Sequence, residues 1–226
     1  MALTIDDAAT VRRTSPSPPA SSAASDGTGR PLLVVLHGYG ASERDLLPLW
    51  PHLGFDGETV FLRAPLALGP GAWAWFPLPS LEAIELPSLP AVREAADALL
   101  SWLAAHAAGR RVVLAGFSQG STVALQALRT APELVAGVVV LSGFVAGVGD
   151  AATAEDDARL AALDPRVPAF FGHGTADPVI PPVATELTGE WLTAHTDLVE
   201  RAYPGLPHAI DGTELADVRA FLAGIA

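Results

Sequence analysis

The stretch Arg111 to Leu128, RVVLAGFSQGSTVALQAL, constrains this chain more than any other. A mostly apolar run, Val112 to Gly116, ends in Phe117-Ser118-Gln119-Gly120, and a helix-compatible run comes immediately after. Gly116-Phe117-Ser118-Gln119-Gly120 fits the pattern G-x-S-x-G in its required setting of strand, sharp turn and helix. The glycines have a steric reason. A serine held in a strained turn needs neighbours without Cβ two residues to either side, so that strand and helix can approach closely. The helix that starts there aims its free N–H groups at any negative charge developing beside Ser118. Taken alone, the pentapeptide also fits an ordinary strand–turn–helix with a serine in the turn.

The rest of the chain alternates in the same way. Leu3 to Val11 reads as a short edge strand, and 14–29, TSPSPPASSAASDGTG, as a flexible Ser/Pro-rich surface segment. Pro31 to Leu36 is a continuous apolar run, the mark of a strand covered on both faces. It ends at His37-Gly38-Tyr39-Gly40, after which Ser42 and Asp45 resemble a capping box opening a helix through Leu46, Leu47 and Trp50. Thr59 to Leu62 reads as a strand, and Ala64 to Pro87 as a long loop rich in proline and tryptophan. Val92, Ala96, Leu99 and Leu103 fall at helical spacing within Ser88 to Ala108. Beyond the central unit come a strand at Gly137 to Leu141 and a connecting stretch, Ser142 to Asp164, with a short helix in it. Further strands at Pro168 to Phe171 and Asp197 to Tyr203 alternate with helices at Val183 to Ala194 and Glu214 to Leu222. The expected fold is α/β, a mostly parallel central sheet with helices on both faces. Two regions are expected: residues 1–29, an N-terminal strand and flexible segment, and residues 30–226, the catalytic domain.

Composition narrows the chemistry. With 13 basic and 25 acidic residues the net charge is -12, which disfavours nucleic acid or an anionic membrane as a partner. Every basic residue is arginine, so neither a Schiff-base lysine nor a P-loop lysine is available. Zero cysteine removes thiol nucleophiles, disulfides and thiolate metal sites. The N-terminus carries Asp6 and Asp7 and lacks the apolar core of a secretory signal. The three long uncharged runs are broken by proline, by glycine or by the serine turn, and none reads as a spanning helix. A cytoplasmic protein is the default expectation.

In an open α/β sheet, function gathers at the carboxyl ends of the strands. Past the strand at Pro168 to Phe171 comes Gly172-His173-Gly174-Thr175-Ala176-Asp177, and past Asp197 to Tyr203 comes Pro204-Gly205-Leu206-Pro207-His208. The order Ser118, Asp177, His208 is that of a nucleophile, an acid and a base placed on such a sheet. His208 would take the proton of Ser118 as it attacks an acyl carbon, and Asp177 would fix the imidazole tautomer. His37 and His173 are rival bases, although each is read more simply as hydrogen-bonded to nearby loop backbone. His52, His106 and His195 read as solvated. Asp211, a cap for the last helix, and Asp197, at the start of a strand, are the rival acids. The backbone N–H of Gln119 is one donor for a developing oxyanion, and Tyr39 N–H, in the loop after an earlier strand, is the choice for the second.

LHGYGASERDL, GFSQGS, HGTADPVIP and the late PGLPH together resemble the phospholipase/carboxylesterase family of α/β-hydrolases, which includes small bacterial carboxylesterases and the acyl-protein thioesterases. The resemblance runs from about Arg30 to the C-terminus. It implies Ser118 as nucleophile, Asp177 as acid and His208 as base, with Tyr39 and Gln119 as oxyanion donors. The family's loop carries a tryptophan, an aromatic and then an aspartate, and here Trp75-Phe76-Pro77 lacks the aspartate. The tryptophan matches the family's substrate-pocket residue.

Trp73, Trp75, Phe76, Leu78, Leu81 and Ile84 bring apolar surface to the long loop. Trp75, with Phe144, Ile180 and Leu206, is the candidate wall of an acyl pocket. The expected activity is a carboxylesterase for short to medium acyl chains, needing no cofactor and no metal. A thioesterase or lysophospholipase using the same site is the near alternative, and an inactive binding protein on the same fold the distant one. The expected partner is a small-molecule ester, with no nucleic acid and no membrane span, and a homodimer is left open.

Overall fold

The computed structural model describes residues 2–15, 30–78 and 87–225. Residues 16–29 of the segment read as flexible, 14–29, and the pocket candidates Leu81 and Ile84 lie outside the described residues, while Thr14 ends a strand. The strands are β1 (Val11–Thr14), β2 (Leu32–Leu36), β3 (Glu58–Leu62), β4 (Leu66–Gly69), β5 (Ala72–Ala74), β6 (Val112–Phe117), β7 (Val135–Leu141), β8 (Pro168–Gly174) and β9 (Asp197–Tyr203). Seven of them form one sheet in the order β1-β3-β2-β6-β7-β8-β9, and β4 and β5 form a separate hairpin. Only β1 runs antiparallel within the large sheet; the other neighbours are parallel.

The helices are α1 (Trp50–Leu53), α2 (Leu89–His106), α3 (Gln119–Thr130), α4 (Ala154–Ala161), α5 (Pro182–His195) and α6 (Gly212–Ala223). Alternation along β2 divides the core. Leu32, Val34 and Leu36 point into a cluster with α2, α3 and α5, whereas Leu33 and Val35 point into a second cluster with α1 and α6. Successive strand side chains face opposite ways, so an unbroken apolar strand requires a covered layer on each side. The mostly parallel sheet with helices on both faces is therefore present as expected.

From β2 the chain steps back to β3 and then crosses past β2 to β6, beyond which the strands are laid down in one direction. β2 pairs with β3 on one side and with β6 on the other. The helices that come after β2 and β6, α1 and α3, pack on opposite faces of the sheet, and ligands bind beyond the strand ends at such a point.

Local details differ from the sequence reading. The edge strand lies at Val11–Thr14, because Asp6 accepts from the Ala8 N–H and caps a 3-10 turn at Asp7–Ala9 where Leu3 to Val11 had been read as extended. Ser42 and Asp45 do bond reciprocally, with the Ser42 N–H on Oδ2 of Asp45 at 2.9 Å, but no long helix comes after them. Pro48 and Pro51 lack the N–H groups that would continue it, so the segment breaks into a 3-10 turn at Leu47–Leu49 and the short α1. The loop from Ala64 contains the β4–β5 hairpin, turned at Pro70 and Gly71, which has φ 75°.

Two buried ionisable side chains mark the packing. Arg129, with its side chain 0% exposed, donates to Asp157 at 2.7 Å and to the Ala146 carbonyl, and its guanidinium lies 4.8 Å from the Trp191 ring centre. It ties α3 to α4 and α5. Glu214 in α6 is 0% exposed, and neither carboxyl oxygen has a partner among the described residues. Burial, then the nearby charges of Asp211 and Asp217, pushes its carboxyl up to about 8.

Candidate active site

Ser118 sits between β6 and α3 with φ 53° and ψ -118°, a conformation costly for any residue with a side chain. The elbow is held in place by close backbone approach. A Cβ added at Gly116 would lie 2.3 Å from the Ser121 nitrogen, and one at Gly120 would lie 2.3 Å from the Leu36 carbonyl oxygen. Ser118 N–H donates to the Leu141 carbonyl at 2.9 Å, and Ser121 Oγ donates to the Gly116 carbonyl at 2.6 Å. β6 is thereby fastened to β7 at the point where the chain must turn.

Asp177 and His208 come from the loops after β8 and β9, and those loops are zipped together. Thr175 N–H donates to the Tyr203 carbonyl, Ala176 N–H to the Leu206 carbonyl at 3.1 Å, and Gly205 N–H to Oγ1 of Thr175 at 2.9 Å. Gly174 allows the contact, since a Cβ there would lie 2.0 Å from the Leu206 carbonyl oxygen. As a result, Nδ1 of His208 lies 2.8 Å from Oδ2 of Asp177. A carboxylate only accepts, so the proton is on Nδ1 and the Nε2 lone pair is free to take another. Oδ1 of Asp177 accepts from the N–H groups of Val179 and Ile180 at 2.7 and 3.0 Å, which locks the carboxylate. The His208 imidazole packs on Phe117, the residue before Ser118, with ring centres 4.8 Å apart.

The rivals are otherwise engaged. His37 donates from Nδ1 to the Gly38 carbonyl and accepts the Ala64 N–H at Nε2, so it is neutral, and burial holds its pKa below the usual histidine value. His173 bonds the Glu200 side chain at 3.2 Å, where a backbone partner had been expected. His106 and His195 stack on Trp102 and Trp191, one helical turn earlier, and are only partly solvated. Asp211 caps α6, accepting from Thr213 and Glu214, and Asp197 opens β9.

The main-chain N–H of Tyr39 has no acceptor among the described residues. Gln119 opens α3, where the first N–H groups lack intrahelical partners. Its side chain was not singled out in the sequence, yet it is 4% exposed and fully used. Oε1 accepts the Trp75 N–H and Nε2 donates to the Phe76 carbonyl, each at 2.7 Å. A polar residue in the first turn of an otherwise buried helix was the available signal. Trp75 departs from its expected place in a pocket wall. It is 0% exposed in the core, with its indole N–H on the His37 carbonyl at 2.8 Å. Ile180 is buried, and Phe144 and Leu206 are half-buried. Among the described residues, no three His, Asp or Glu side chains cluster so as to hold a metal ion.

A family model described as phospholipase/carboxylesterase matches residues 22–225. The chain belongs to this family. The phospholipase/carboxylesterase match begins inside the Ser/Pro-rich segment, a little before Arg30. Acyl-protein thioesterase 1 of Debaryomyces hansenii is 32% identical over 114 residues, 50% of this chain and 47% of that protein. The chain thus spans about half the length of several such fungal relatives it matches. The thioesterase of Cryptococcus neoformans is 24% identical over 220 residues, covering 84% of this chain and 90% of the relative. Among solved structures, esterase PE8 superposes with a TM-score of 0.73 at 24% identity over the whole of both chains. Acyl-protein thioesterase 2 of Zea mays gives 0.73 at 20% identity, covering 96% of this chain and 98% of that one. At such identities the likeness concerns the fold, which is that of the α/β-hydrolases. Among the described residues, no helix is long and apolar enough to cross a membrane.

Proposed function

We propose that this phospholipase/carboxylesterase family member is a serine hydrolase that cleaves carboxylic esters of short to medium acyl chain through an acyl-enzyme. Ser118 Oγ attacks the acyl carbon while its proton passes to Nε2 of His208, and Asp177 stabilises the resulting imidazolium. The N–H groups of Tyr39 and Gln119 receive the oxyanion. Collapse of the tetrahedral species expels the alcohol, which takes the proton from His208; water then repeats the sequence and frees Ser118. The observation that carries this reading is the 2.8 Å contact of His208 Nδ1 with an Asp177 carboxylate that is itself locked by two backbone N–H groups. That arrangement orients an imidazole for proton transfer.

Thioester cleavage is the second reading, favoured by the fungal and maize relatives named acyl-protein thioesterases. The same serine serves both, because only the leaving atom differs. The test is a panel of p-nitrophenyl esters of increasing chain length beside matched thioesters, with fluorophosphonate labelling of Ser118. Labelling with ester turnover greater than thioester turnover supports the first reading, and the reverse ranking supports the second. No labelling and no turnover would leave a binding protein on a hydrolase fold.

A further inference from the structure

The two N–H groups assigned to the oxyanion belong to different elements, the loop after β2 and the start of α3. Something must set the distance between them. The strand β5 and the residues after it run across both. Gly40 N–H donates to the Trp73 carbonyl and Trp73 N–H to the Ala41 carbonyl, each at 2.9 Å, so the loop carrying Tyr39 is paired with β5 on both sides. Trp75, two residues on, reaches the same loop through its indole N–H on the His37 carbonyl and reaches α3 through its main-chain N–H on the Gln119 carboxamide.

We propose that Trp75 is a positioning residue for the oxyanion hole: bonded at once to the His37 carbonyl and the Gln119 side chain, it fixes the separation of the Tyr39 and Gln119 N–H groups. The inference rests on the reading of those two N–H groups as oxyanion donors. Burial supports it, since a side chain with no exposed surface contributes to the site through what it holds rather than through what it touches. The Gln119 carboxamide acts as the second half of the clamp. It completes the hydrogen bonds of Trp75 and Phe76 as a neighbouring strand would, so α3 and β5 are joined where no strand pairs. A positioned donor acts on the transition state, and a displaced one loses its effect steeply with distance.

The test measures kcat and KM of Trp75→Phe for p-nitrophenyl esters from acetyl to octanoyl. Phenylalanine retains much of the packing and removes the indole donor. The expected result is a fall in kcat of about tenfold, equal across chain lengths, with KM nearly unchanged. An unchanged kcat with a KM that varies with chain length would instead make Trp75 a pocket wall and overturn the proposal. Gln119→Glu provides the second variant. Its neutral carboxyl can accept from Trp75 N–H and donate to the Phe76 carbonyl, whereas the ionised form cannot donate. Its kcat relative to wild type is therefore expected to fall as pH rises, and a flat ratio would overturn the clamp even if Trp75→Phe does not fold. Ser118→Ala serves as the separate control: if it keeps turnover, the catalytic reading itself fails; if it is dead while both other variants match wild type, only the clamp fails.

Discussion

His208 and Asp177 are 31 residues apart in the chain and 2.8 Å apart in space. The contact is a consequence of two strands running side by side. β8 and β9 are paired from Pro168 with Asp197 to Gly174 with Tyr203, so the loops that leave them start level with each other. The hydrogen bonds between those loops then bring the acid under the imidazole before either side chain is considered.

Asp177→Asn should lower kcat on the order of ten-thousandfold while leaving the fold intact, because an amide nitrogen facing Nδ1 stabilises the wrong tautomer. Steady-state kinetics beside a circular dichroism spectrum reads this directly. Retained turnover would remove Asp177 from the mechanism.

Ser118→Ala should lower kcat about a millionfold. Ser118→Gly should be equally inactive but more stable than wild type by roughly 1 kcal/mol, because glycine adopts φ 53° without the strain serine stores there. Urea denaturation compares the two. A glycine variant less stable than wild type would show that the turn is unstrained.

Gly120→Ala should destabilise by about 3 kcal/mol or more, since its Cβ would meet backbone at 2.3 Å that cannot move aside. Gly71→Ala is the comparison. Unlike Gly120 it has positive φ, at 75°, but open space around it, so only backbone strain of about 1 kcal/mol is expected. Equal losses at the two positions would mean that contact at the elbow is not what counts.

The contribution of Glu214 to stability should decline as pH rises from about 4.5 to about 8. Glu214 holds its proton in the folded protein up to about 8, whereas the unfolded chain releases it near the ordinary value of 4.5. Over that interval the folded state binds more protons, so raising pH favours unfolding, by up to about 5 kcal/mol in all. Glu214→Gln should lack this decline. Denaturation midpoints of wild type and Glu214→Gln at the two ends of the interval decide it, and an equal difference between the two proteins at each end would show that Glu214 ionises without cost.

Much of the fold and of the site was legible in the primary structure because periodicity and punctuation carry it. Leu32 to Leu36 is apolar throughout and is buried throughout, and Gly116 and Gly120 bracket Ser118 as the strand-to-helix turn demands. Asp177 and His208 could be located from the residues lying just past the carboxyl end of each strand. The features that stayed hidden depended on groups distant in sequence. Trp75 has the composition of a pocket residue, and only its bonds to His37 and Gln119, 38 and 44 residues away, reveal where its ring goes. The β4–β5 hairpin was masked by short strands and by proline, and the edge strand by an aspartate that capped a turn first. His173 was read against its own loop, whereas its partner sits on β9, next to it only in the folded sheet.

The crowding around Gly38, Gly116 and Gly120 has an implication for how the protein can change. At Gly116 and Gly120 the turn is made of main chain against main chain with no slack to take up, whereas at Gly38 the neighbours are the side chains of Phe117 and Ser118. Under the proposed function, variation in what the site accepts would enter at loop residues beyond the strand ends such as Phe144, Val179 and Leu206, whose surfaces are partly or largely open. On that reading selectivity and chemistry would be borne by separate parts of the molecule, and the first could diversify while the second stays still.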